Sequence, residues 1–138
     1  MAPDMTIYRS FFESVERQPN KPLFELPDGR TVSYRDTADT VHRIAARLLE
    51  DGVTPGDRVA MQVPKSPEAI ALYLATLQVG GVFLPLNTAY TGAEMRYFLD
   101  DAQPRVLVCA PDRRDDYDAE QRGLVVETLG ESGDGTLL

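Results

Sequence analysis

One cysteine, one histidine and 14 basic residues against 22 acidic ones set the first limits on this 138-residue chain. Cys109 has no second thiol, so no internal disulfide forms, and the composition fits a reducing compartment. His42 has no cysteine or second histidine beside it, whereas a metal site needs several convergent ligands, so a structural role is expected. The formal net charge of −8 argues against nucleic acid or an anionic membrane as the main partner. No stretch approaches the roughly 18 apolar residues of a membrane span. The opening MAPDMTIYRS carries an acid and no apolar centre, so it does not read as a secretory signal, and Met5 is a candidate alternative start. A cytoplasmic location is the expectation.

What is present is a globular composition, 43% hydrophobic and 26% charged, long enough for one hydrophobic core. The chain is organised around Val63 to Tyr90. Ser66 is placed to cap a helix whose first position is Pro67, with Glu68 in its first turn, where an acid complements the helix dipole. From Ala69 to Val79 only Thr76 and Gln78 are polar, so this helix is expected to be buried against a sheet. Gly80 and Gly81 end it, and Val82 to Leu84 reads as a short buried strand closed by Pro85.

Before this centre, Ile7, Phe11, Phe12 and Val15 recur at helical spacing within Thr6 to Gln18. Leu23 to Leu26 and Arg30 to Tyr34 flank Pro27-Asp28-Gly29 and read as a β-hairpin. Ser33 and Asp36 are spaced as a capping box for a helix with an apolar stripe of Tyr34, Ala38, Val41, Ile44, Ala45 and Leu48. After the Thr54–Asp57 turn, Arg58 to Val63 reads as a strand. Beyond the centre, Thr91 and Glu94 form a second capping box for a helix through Asp100. Val106 to Cys109 reads as a fully buried strand, Pro111 to Gln121 as charged and weakly helical, and Gly123 to Glu127 as one more strand. Leu129 to Thr136 has the composition of a glycine-rich linker. Strand, helix, strand, helix, strand from Arg58 to Ala110 implies an α/β fold, a β-α-β-α-β parallel sheet with right-handed crossovers, preceded by the hairpin and helices.

Two stretches carry a family resemblance. Leu77-Gln78-Val79-Gly80-Gly81-Val82-Phe83-Leu84-Pro85-Leu86-Asn87 resembles the second core motif of adenylate-forming enzymes, and Val32-Ser33-Tyr34-Arg35-Asp36 resembles their first. That superfamily includes acyl-CoA synthetases, peptide-synthetase adenylation domains and luciferases. Lys65 to Glu68, with Leu84 to Thr91, is most similar to malonyl-CoA synthetases. The resemblance implies a partial N-terminal portion of such an enzyme. Residues 1–53 would belong to a first sheet subdomain, 54–128 to a second, and 129–138 would be a linker toward an ATP loop. The parent reaction would join a small carboxylate, malonate or a related short acid, to AMP from ATP and pass the acyl group to coenzyme A, with Mg²⁺ spreading phosphate charge. Self-association through apolar surface is expected for the chain alone.

The resemblance assigns no catalytic, cofactor-binding or metal-binding residue within the chain. In the family, a loop of the form Thr-Ser-Gly-Thr-Thr-Gly holds the ATP phosphates, and it would lie beyond Leu138. Ser132 to Thr136 superficially resembles a phosphate loop but has no lysine, carries Glu131 and Asp134 nearby and leads into no helix. Lys65 before the central helix is an ordinary surface charge on this reading. Asn87 is expected to cap a turn. In some acyl-CoA synthetases a basic residue just after this Asn approaches coenzyme A, and here Ala89 stands in that place. Asp112, Asp115, Asp116 and Asp118 lack a calcium loop's central glycine and read as a solvated face. The chain alone is therefore expected to be catalytically silent. The competing class is a stand-alone or vestigial α/β interaction module. A receiver domain, its sharpest form, would need acids clustered at the strand ends, and only Asp112 and its neighbours come near.

Overall fold

A computed structural model describes residues 6–138, and the reading of Met5 as a start lies outside the described residues. Helix α1 (Thr6–Arg17) leads into a hairpin of β1 (Pro22–Glu25) and β2 (Thr31–Ser33), paired antiparallel. Helix α2 (Tyr34–Glu50) follows at once. Its capping box is complete: the Asp36 N–H donates to Ser33 Oγ at 3.0 Å, and the Ser33 N–H donates to the Asp36 carboxylate at 3.3 Å. The expected stripe is its inner face, with Ala38, Val41, Ile44, Ala45 and Leu48 all buried and Tyr34 half-buried.

The remaining elements alternate: β3 (Arg58–Gln62), α3 (Pro67–Gln78), β4 (Val82–Pro85), α4 (Gly92–Ala102), β5 (Val106–Cys109), a single 3₁₀ turn at Pro111–Arg113, the short α5 (Ala119–Arg122) and β6 (Val125–Thr128). All pairings in this second sheet are parallel, in the order β4-β3-β5-β6. Because side chains alternate along a strand, Val59, Val106 and Val108 face one side, and Ala60, Leu107 and Cys109 face the other. The first side packs against α1, α2 and α3 in one cluster that contains Phe11, Ile44, Leu48 and Leu72. The second packs against α4 through Met95 and Leu99, with Tyr117 and Leu124 added from the β5–β6 connection.

Two expectations are corrected. β4 is not a buried strand: it is the sheet's edge, and Val82 is 46% exposed. Pro85 fits such an edge, where a missing N–H costs no ladder bond. Gly80 has the positive φ expected of the residue after a helix, but Gly81 does not, and its role is space. A methyl group on Gly81 would stand 3.1 Å from Thr76 Cγ2 and 3.2 Å from the Asp57 carbonyl oxygen.

The stretch from Leu129 is a closed turn packed on β6, not a free tether. Leu129 and Leu137 are buried in the first cluster. The Leu137 N–H donates to the Thr128 carbonyl at 3.1 Å, and the Thr136 N–H donates to Thr128 Oγ1 at 2.9 Å. Among the described residues no helix is long and apolar enough to cross a membrane.

Candidate functional site

In an open parallel sheet the natural crevice lies at the carboxyl ends of the strands, where neighbouring connections leave in opposite directions. Here β3 runs into α3 on one face, while the β5–β6 connection packs with α4 on the other, so that point falls between β3 and β5. It is filled by protein. The Tyr117 hydroxyl reaches back and donates to Gln62 Oε1 at 2.8 Å. Gln62 Nε2 in turn donates to the Asn87 carbonyl at 3.1 Å, and both Gln62 and Tyr117 are 3% exposed. Burial pushes the Tyr117 phenol above its ordinary value. This chain of bonds ties the ends of β3 and β4 to the loop after β5. Sequence reading missed both side chains, although Tyr117 is the lone aromatic in the charged stretch Pro111 to Gln121.

The candidates weighed from sequence do not converge on a centre. Ser66 is occupied as a cap, accepting from the Ala69 N–H at 3.0 Å, and Lys65 beside it is exposed. Asn87 Oδ1 accepts from the Ala89 N–H at 2.8 Å, an Asx turn, and exposed Ala89 offers no charge to a phosphate. His42 is exposed, with its ring centroid 5.3 Å from that of Phe12. Cys109 is fully buried, and its thiol is pushed up to about 11, chiefly by burial, which disfavours the reactive thiolate. Among the described residues no group of three or more His, Cys, Asp and Glu is placed to hold a metal ion.

The glycine-rich turn does not fit a nucleotide phosphate. Asp134 fills it, accepting from Ser132 Oγ at 2.9 Å while its carbonyl accepts from the Gly130 N–H at 2.7 Å. Glu68 lies against Gly133. Two carboxylates around the turn repel the charge that a phosphate cradle must attract. The amino end of the sheet holds a more open recess of about 570 Å³, lined by Asp57, Asp100, Gln103, Arg105 and Arg122 among others. Its charges are already matched: Arg105 pairs with Asp57 at 3.7 Å, and Arg122 pairs closely with Asp100.

The family model described as "AMP-binding enzyme" matches residues 11–135. The chain belongs to the AMP-binding enzyme family. Among curated members, tyrocidine synthase 2 of Brevibacillus parabrevis is 36% identical over 105 residues, which cover 76% of this chain and 3% of that protein. Novobiocin biosynthesis protein H of Streptomyces niveus is 32% identical over 102 residues, 74% of this chain and 17% of that one. Among solved structures, apo MatB from Rhodopseudomonas palustris superposes with a TM-score of 0.88 at 42% identity, over 99% of this chain and 27% of MatB. The ATP-bound form of MatB matches equally well. Lys65 to Glu68 and Leu84 to Thr91, the stretches that resemble malonyl-CoA synthetases, belong to a chain that matches MatB over 99% of its length. The hairpin and the four-stranded parallel sheet are thus those of an AMP-binding enzyme, and the family's nucleotide is ATP.

Proposed function

We propose that this chain is the opening segment of an ATP-dependent acyl-CoA synthetase that activates malonate or a related short acid. The observation that carries this reading is the likeness to MatB, 42% identical along 99% of this chain while covering only 27% of MatB. In the longer enzyme, adenylation of the carboxylate would precede transfer to coenzyme A, with Mg²⁺ beside the phosphates. The residues in hand supply scaffold for that reaction. Among the described residues the glycine-rich turn is lined by Asp134 and Glu68, no cluster is suited to a metal, and Ala89 offers no cation. On this reading the segment alone is expected to be catalytically silent.

On this reading residues 1–53 and 54–128 contribute to two sheet subdomains of the parent. Ile44 and Leu48 of the first part share one cluster with Val59 and Leu72 of the second, so the two lean on each other. The edge strand β4, with Val82 46% exposed and Ile70 of α3 44% exposed, gives apolar surface through which the isolated chain self-associates.

The test is an ATP-, coenzyme A- and malonate-dependent thioester assay on two proteins: the 138-residue chain and the product of the full reading frame that contains it. The longer protein should form malonyl thioester and the short chain none. Turnover by the short chain would overturn its silence. A longer protein that adenylates amino acids but not malonate would move it to the peptide-synthetase branch.

A further inference from the structure

Where α2 ends, two acids meet in a place that suits neither. Asp51 caps the carboxyl end of α2, where the helix dipole disfavours negative charge. Glu127 of β6 is 6% exposed. Asp51 Oδ2 and Glu127 Oε2 are both fully buried oxygens without a hydrogen-bond donor from elsewhere in the described residues. Arg47 joins them: its carbonyl accepts from the Asp51 N–H at 2.9 Å and its guanidinium lies 3.4 Å from Glu127 Oε2, so the Asp51 carboxyl sits in the field of Glu127. Two ionised carboxylates so placed repel, while one proton between them makes a bond. The other oxygen of Glu127 accepts from Thr136 Oγ1 at 2.8 Å, so the same side chain grips the terminal segment.

We propose that the Asp51–Glu127 carboxyl pair is a proton-operated clasp that holds residues 129–138 on β6 and loosens them when its proton is lost. The proposal does not depend on the enzyme reading. From α2 the charged neighbours are Arg47, 3.4 Å from Glu127 Oε2, and Glu50, which adds repulsion, with Arg43 lining the adjoining hollow. From the terminal segment come Thr136, Leu137 and Leu138, whose side chains carry no charge, while in the 138-residue chain Leu138 adds an α-carboxylate that is ionised throughout the range tested below. Glu131 and Asp134 sit in the exposed turn, the latter bonded to Ser132. Arg47 is thus the cation at the cluster, shared between Glu127 and Glu50, and it does not neutralise all three acids.

Burial first, then the bond and charge of Glu127, push the Asp51 carboxyl up from 3.8 to about 7. A group raised in the folded state lends its stability in full below its unfolded value and loses it as pH rises through the folded one. The clasp is therefore tightest at pH 4, weakens through the interval to about 7, and adds no hold above it. Asp28 and Asp57 are held below the ordinary carboxylate range by hydrogen bonds, so they stay ionised throughout and do not mimic the effect.

The experiment is amide hydrogen exchange of the intact 138-residue chain from pH 5.5 to 8.5, read as protection factors. Those of Thr136 and Leu137, whose N–H groups are held by Thr128, should fall about tenfold or more, since one proton allows up to about tenfold per pH unit, while Val59 and Leu107 hold. In Asp51→Asn the amide donates to Glu127 at every pH, and the dependence should vanish. Flat protection in the unmutated chain, or an equal fall in the variant, would overturn the proposal. Should the variant not fold, the carboxyl ¹³C titration of Asp51 in the unmutated chain decides. A midpoint near neutrality supports the clasp, and one in the ordinary carboxylate range overturns it.

Discussion

The two faces of the parallel sheet are covered by unequal means. One carries three helices, α1, α2 and α3, fused with Val59, Val106 and Val108 into a single apolar cluster. The other carries α4 and an irregular connection, and there polar bonds from Tyr117, Gln62 and Arg122 do part of the holding. The first face is held chiefly by burial, which is strong and without direction. The second fixes the positions of loops at the carboxyl end, a task that needs directional bonds. Strength and positioning are thus divided between the two sides of one sheet.

The sharpest test of that division is a matched pair of truncations. Leu72 of α3 and Leu99 of α4 are 0% and 2% exposed, so each loses a buried side chain on change to alanine. Such cavities cost about 2–5 kcal/mol, and the spread reflects how well the site collapses. Leu72→Ala, hemmed in by other helices, should cost about 4 kcal/mol. Leu99→Ala, beneath a single helix free to settle, should cost about 2–3 kcal/mol. Urea unfolding of both variants at one pH gives the comparison, and equal losses would break it.

How much of this was legible in the sequence follows the same line. Both capping boxes, the Ser66 cap and the buried face of α2 could be read because each depends on residues three or four apart. The edge position of β4 could not, because Val82-Phe83-Leu84 looks alike wherever it lies in a sheet, and the order β4-β3-β5-β6 is set by crossovers. Nor could Ile70 be assigned to solvent: α3 is apolar all round, so its pattern marks no outward face. At the candidate site, Asn87 was legible as a turn from its own side chain. The Tyr117–Gln62 bond spans 55 residues, and the Asp51–Glu127 pair joins a helix end to a distant strand; long-range partners of that kind leave only a faint local mark.

That long-range bond supplies the second test. Tyr117→Phe keeps the ring in its cluster and removes one hydroxyl, leaving Gln62 Oε1 buried without its donor. An orphaned buried acceptor costs about 1–3 kcal/mol. If the second face relies on direction, the loss should also be local: exchange protection should drop in the Asn87 and Tyr117 loops while Leu72 and Ile44 stay protected. A uniform drop over both faces would show that the bond serves general stability, and the contrast would lose its meaning.

The smallest effect separates the helices by their starts. Ser66 caps α3 by accepting the Ala69 N–H in a partly buried setting, whereas Thr91 caps α4 in an exposed one, at 3.2 Å from the Glu94 nitrogen. Water can replace a lost cap at Thr91 but reaches the orphaned N–H at Ser66 less well. Ser66→Ala should therefore cost about 1 kcal/mol and Thr91→Ala about 0.5 kcal/mol, both within the usual span for such caps. The ordering carries the inference, because local propensity alone would rank them the other way: Thr91 has the reciprocal bond from its N–H to Glu94 at 3.1 Å, and Ser66 has none of that kind. If chemical denaturation finds Thr91→Ala the more costly, the starts of these helices are governed by their own sequence and not by the face on which they lie.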